Sequence, residues 1–185
     1  MTDFLKKYLT KLTSIGSSIN ADEFADLLKE LKEAYFRDAQ IFILGNGGSG
    51  STASHFACDI NKCASEGKEK RFKVISLADN IPTILAYAND MSYEDIFVEQ
   101  LKNFLTPNDL VIGISGSGNS PNVLKAVKYA NSKNAETFGL CGYSGGKLKE
   151  ISNKSLVIHS NDMQKVEDLH FIILHAAMQY LHLNP

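Results

Sequence analysis

Residues 41–51 read IFILGNGGSGS. Four apolar residues in a row, without alternation, read as a strand buried on both faces. The glycine/serine run behind them reads as a tight exit from that strand into a helix. The arrangement recurs at residues 109–120, DLVIGISGSGNS, where Pro121 then suits the first turn of a helix. Strands of this type belong to a parallel sheet covered by helices on both faces, the α/β class.

Working outward, further apolar runs stand at 72–77 (FKVISL), 136–141 (ETFGLC) and 155–159 (SLVIH). They bring the expected sheet to five strands, four of which hardly alternate. Helix-like stretches lie between them at 50–63, 81–104 with a break near Asn89, 120–132 and 144–151, and a last helix runs from about Met163 to Leu181. Right-handed crossovers then fix most of the topology. Upstream, Phe4, Leu5, Tyr8, Leu9 and Leu12 recur at helical spacing. So do Phe24, Leu27, Leu28, Leu31 and Tyr35, behind the cap Asn20 with Glu23 three residues on, as in a capping box. The expected organisation is a single domain over 1–185. Its helical segment, 1–37, carries apolar surface suited to another subunit, and its α/β core spans 38–185.

With 185 residues the chain is long enough for one sizeable core. Its net charge of -2 gives no electrostatic reason to expect nucleic acid or an anionic membrane as partner. Cys58, Cys63 and Cys141 are odd in number and lack CxxC spacing, which points to reduced thiols in a cytoplasmic protein. The opening MTDFLKKYLTKL has its apolar residues interrupted by charges, unlike a signal peptide. No apolar run approaches the ~20 residues that span a membrane.

In an open parallel sheet, ligands bind beyond the carboxyl ends of the strands, near a topological switch point. Both glycine/serine loops fall at that edge, where a helix N-terminus offers free N–H groups and partial positive charge. Loop 115–120, SGSGNS, adds three hydroxyls and reads as a phosphate cradle. The first loop lacks the lysine of a P-loop. Forced onto GxGxxG at Gly45, Gly47 and Gly50, it has no ribose-binding acid at the usual spacing, since Asp79 lies well beyond it. His55 and Asp59, at i and i+4, share one helical face, as a metal pair or an acid–base pair requires. On the last helix, VEDLHFIILH, periodicity puts Asp168 about 20° from His175, Glu167 about 80° and His170 about 140°. It therefore pairs His175 with Asp168 first and leaves Glu167 open; His175, within FIILHAAM, also fits a core histidine.

Taken in order, GNGGSGSTASHFACD, AYANDMSYEDIF, GISGSGNSPNVLKA and EDLHFIILH resemble the sugar isomerase (SIS) domain family, with the heptose-phosphate isomerases as its nearest branch. The resemblance covers nearly the whole chain. It implies a flavodoxin-like three-layer fold, a homotetramer with shared active sites, and aldose–ketose isomerisation of sedoheptulose 7-phosphate through an enediolate. A heptose route to lipopolysaccharide or capsule comes with it. Carried over by position, Asn46, Gly47, Gly48, Asn89, Asp90, Ser115, Gly116, Ser117 and Ser120 would bind substrate. His55, Asp59, Glu167 and His175 would hold zinc, and Asp59, His175 and Glu167 would move protons. The chain departs from the family at Asp59 and Glu167, where glutamate and glutamine are usual. It departs also at Cys63, where an arginine is usual, and at Met163, where a threonine is. Two other readings fit the same residues: an isomerase of another phosphosugar, and a non-catalytic SIS module that binds a phosphosugar or a protein.

Overall fold

The computed structural model describes residues 2–184; residues 1 and 185 of the expected domain lie outside it. Its strands are β1 (Gln40–Gly45), β2 (Lys73–Ser76), β3 (Leu110–Ser115), β4 (Glu136–Gly142) and β5 (Lys154–Ile158). They pair in parallel in the order β2-β1-β3-β4-β5. The helices are α1 (Thr2–Gly16), α2 (Ala21–Phe36), α3 (Gly47–Asp59), α4 (Ile81–Asp90), α5 (Val98–Phe104), α6 (Pro121–Ser132), α7 (Gly146–Ile151) and α8 (Met163–Leu183).

Two apolar cores explain why the strands do not alternate. Ile41, Ile43, Ile112, Leu140 and Leu156 face a core shared with α2, α3 and α8. The residues between them, Phe42, Leu44, Val111, Cys141 and Val157, face a second core with α5, α6 and α7. Each fully buried Leu, Ile or Phe contributes about 1.5–3 kcal/mol, so the central strands are stabilised from both sides. β2 is the exception: it alternates exposed and buried, as an edge strand can.

The expected break near Asn89 is the end of α4, followed by a 3₁₀ turn, Tyr93–Asp95, before α5. The helix expected over 50–63 instead starts at Gly47 and changes at Ile60 into a π-helical turn through Ala64. Asn20 caps α2 by accepting the Asp22 N–H, 2.9 Å. Glu23 does not complete a capping box. Its Oε2 accepts the Val157 N–H of edge strand β5 at 2.9 Å, because a main-chain donor on an open sheet edge needs a partner. α2 also bonds β5 through Asp26 and Glu30, which flank Lys154 at 2.9 and 3.0 Å. With Leu27, Leu31 and Ala34 buried, α2 belongs to the core, whereas α1 leaves Phe4, Leu5 and Leu9 exposed.

His170 is the more deeply buried of the two buried polar residues described on α8, the other being Lys165. The His170 Nε2 bonds the Cys141 carbonyl at 2.9 Å, and Nδ1 has no partner among the described residues. A carbonyl only accepts, so Nε2 carries a proton. Burial pushes its pKa down to about 4. The unfolded chain, with a histidine near ~6.5, binds a proton that the folded chain refuses between those values. His170 therefore lets the fold keep full stability above pH ~6.5 and lose it progressively toward pH ~4, by an amount on the order of 3 kcal/mol. Urea unfolding midpoints at pH 7 and pH 5 should differ accordingly, and the difference should shrink in His170→Phe.

Candidate active site at the β1–β3 crevice

The strand order reverses between β1 and β3, which are neighbours although β2 lies between them in sequence. β1 leads into α3 on one face of the sheet and β3 into α6 on the other, so a crevice opens between their carboxyl ends. Both glycine/serine loops sit there. Asn46 is the N-cap residue of α3, and Gly47 and Gly48 form its exposed first turn. On the β3 side, Ser115 is buried at the strand end and its Oγ lies 2.9 Å from the Oγ of Ser120, the N-cap residue of α6. Ser117 Oγ accepts the Asn119 N–H at 3.2 Å, and the Met163 sulfur packs against Gly116. The N-termini of α3 and α6 and the hydroxyls of Ser115, Ser117 and Ser120 thus lie at the carboxyl ends of β1 and β3, a setting for a phosphate ester.

The loops touch through an amide pair. Asn46 Nδ2 donates to Asn122 Oδ1 at 2.9 Å, and Asn122 Nδ2 donates to Asn46 Oδ1 at 2.8 Å. The Tyr93 hydroxyl lies 3.0 Å from Asn46 Oδ1. A cavity of about 250 Å³ opens here, lined by Asn46, Gly47, Gly50, Ser51, Ser54 and Tyr93 among others. Asp79 is engaged structurally, as acceptor of the Ser54 hydroxyl. Asn89 and Asp90 sit exposed at the end of α4; Asn89 bonds Asp90 at 2.8 Å, and neither bonds another candidate residue among the described ones.

The packing of α3 on α8 builds the titratable centre. His55 Nε2 and His175 Nε2 lie 2.9 Å apart. Asp59 Oδ2 is 3.2 Å from His55 Nε2 and 3.5 Å from His175 Nε2. These three donor atoms lie within 4.8 Å of one another, and among the described residues they are the one such set of His, Cys, Asp or Glu. The Phe171 ring packs on both imidazoles, at 4.7 Å from His55 and 4.3 Å from His175 between centroids. Two imidazole nitrogens and a carboxylate oxygen converging on one point are a donor set of the kind that suits zinc.

Glu167 is not in this set; its carboxylate rests against the Cα of Gly48. Asp168, which periodicity pairs with His175, instead accepts the Tyr8 hydroxyl from α1. That bond, more than burial, pushes Tyr8 up to about 12. Seven residues return a helix to nearly the same azimuth but also advance it by about 10.5 Å, and here Asp168 meets Tyr8 while His175 meets His55 and Asp59. Asn122, Tyr93 and Phe171 were not legible as site residues. Asn122 directly after Pro121 reads only as a helix start, and Tyr93 and Phe171 read as ordinary aromatics.

A family model described as the SIS domain matches residues 4–142. The phosphoheptose isomerase of Helicobacter pylori is 39% identical over 145 residues, covering 78% of this chain and 75% of that protein. That of Trichlorobacter lovleyi is 36% identical over 180 residues, covering 95% and 90%. Among solved structures, phosphoheptose isomerase from Neisseria gonorrhoeae has a TM-score of 0.89 at 22% identity over 97% of both chains, a likeness of fold. The family match across most of the sequence, and relatives this similar over nearly its full length, show that the chain belongs to the SIS domain family, among the phosphoheptose isomerases.

Proposed function

We propose that this chain is an aldose–ketose isomerase that converts sedoheptulose 7-phosphate to a heptose 7-phosphate through an enediolate. The observation that carries the reading is the convergence of His55, Asp59 and His175 on one point, two of them on α3, whose N-terminus meets that of α6 at the crevice. In this reading Ser115, Gly116, Ser117 and Ser120 hold the phosphate, and Asn46, Gly47, Gly48, Asn89 and Asp90 bind the sugar. Asp59 moves the proton between C1 and C2. His175, whose imidazole can donate at one nitrogen and accept at the other, serves the two oxygens. Glu167 is a second carboxylate for proton transfer on the Gly48 side. His55, Asp59 and His175 would hold zinc, with Glu167 as a further ligand if its side chain swings away from Gly48. Zinc, when bound, supplies Lewis-acid polarisation of substrate oxygens.

The reading also takes the chain to be a cytoplasmic homotetramer, with 1–37 the oligomerisation segment of a single domain. The exposed Phe4, Leu5 and Leu9 of α1 support this, as does α4, which has no buried residue and exposes Ile81 and Leu85. No described helix is long and apolar enough to cross a membrane.

Turnover of sedoheptulose 7-phosphate against a panel of hexose and pentose phosphates tests the substrate. Heptose turnover that EDTA abolishes and zinc restores is expected. Turnover of another phosphosugar alone would move the assignment to that sugar.

A further inference from the structure

The reading above leaves the Asn122 amide and the Tyr93 hydroxyl without a role. Asn122 is 1% exposed at the start of α6. Its Oδ1 accepts the Val123 backbone N–H at 2.9 Å. A backbone N–H can only donate, so this bond settles which end of the amide is oxygen. Nδ2 must then be the donor toward Asn46 Oδ1, and the return bond from Asn46 Nδ2 follows. The orientation of Asn46 is therefore set by a neighbour whose own orientation is set by the main chain. The Tyr93 hydroxyl adds a second donor to Asn46 Oδ1 and fills its acceptor capacity. Asn46 Nδ2 has two hydrogens and gives one to Asn122, which leaves one N–H unspent among the described residues, on a residue that lines the cavity.

Tyr93 is itself anchored. Its 3₁₀ turn is joined to α6 by Asp95 and Lys125 at 2.5 Å, and Ser92 bonds Asp95 at 2.6 Å. Three segments distant in sequence thus meet on one amide. We infer that Asn122 and Tyr93 are positioning residues: they turn Asn46 so that it offers an N–H, and not its carbonyl, to an acceptor oxygen of the bound sugar phosphate, and they hold the two loops at fixed spacing. The inference rests on the reading of Asn46 as a substrate-binding residue.

Tyr93 is 57% exposed, so Tyr93→Phe leaves the core untouched. The test is calorimetric affinity for sedoheptulose 7-phosphate in wild type, Tyr93→Phe, Asn46→Ala and the double variant, with Asn122→Ala alongside. The ¹⁵N side-chain amide spectrum of Asn46 is recorded in wild type, Tyr93→Phe and Asn122→Ala. Tyr93→Phe should weaken binding roughly three- to tenfold, the worth of one neutral hydrogen bond. It should change binding less than about twofold once Asn46 is alanine, because its effect runs through that residue. Asn122→Ala should weaken binding at least as much; if it does not fold, the Tyr93 cycle stands alone. The Asn46 side-chain resonances should shift in Tyr93→Phe. An equal penalty in both backgrounds, or resonances that do not move, would overturn the inference. A protein that binds the sugar without isomerising it contradicts the proposed function and leaves this inference intact. If the sugar does not bind at all, the Asn46 spectrum decides by itself.

Discussion

Replacing His175 with glutamine is expected to lower kcat for sedoheptulose 7-phosphate about 10²- to 10⁴-fold, the range in which a positioned acid–base group contributes. Glutamine keeps a polar end near Asp59 but cannot exchange a proton near neutral pH. The His175 side chain is 40% exposed, so no core contact of consequence is lost and the thermal midpoint should hold. Asp59→Asn should fall as far, since its Oδ2 is shared by both histidines. The double variant should be scarcely worse than either single one, because groups that act as a unit do not add. Single-turnover kinetics with circular dichroism on the same samples separate lost chemistry from lost fold. A fall of less than tenfold in His175→Gln would remove it from the proton path.

Gly118→Ala is expected to have the largest effect on the 115–120 loop. Gly118 has φ +68°, and a Cβ there would run into the Gly145 carbonyl, which is backbone and cannot rotate aside. The loop is also pinned on both sides: Gly118 N–H bonds the Ser115 carbonyl at 2.9 Å, and the Gly118 carbonyl accepts the Leu148 N–H at 2.8 Å. Left-handed strain of about 1–3 kcal/mol combines with a forced separation of the loop from α7. A loss of roughly 2–4 kcal/mol follows, large against the ~5–15 kcal/mol of a whole domain. Thermal unfolding should show a fall of several degrees, with phosphosugar affinity down at least about tenfold. Gly47→Ala is the control. Gly47 has φ +50°, but nothing lies within 4 Å of its would-be Cβ, so it bears the backbone strain alone. Equal effects at the two positions would show that the collision with Gly145 does not matter.

The sheet was legible because burial on both faces leaves a local signature. IFIL and LVIGI cannot be amphipathic, so a parallel sheet with two helix layers is their natural place. β2 shows the limit of that signal, since its alternation marks an edge only once its neighbours are known. His55 with Asp59 was legible as well, because both stand on α3 one turn apart. The arrival of His175 was legible only through the family resemblance, since it depends on how α8 packs across α3, and period alone chose Asp168. The tie between Glu23 and Val157, and the clasp of Asn46, Asn122 and Tyr93, join positions far apart in sequence and leave no pattern within any one segment.

The central claim is that Asp59 and the histidines beside it carry out enediolate chemistry on a heptose phosphate. Proton exchange followed by NMR tests it most directly, with purified protein, zinc and sedoheptulose 7-phosphate in deuterated water. The account predicts deuterium at C1 or C2 together with the aldose resonances, and neither in Asp59→Asn. Substrate and metal bound in the same sample, with no deuterium entering either carbon, would contradict it.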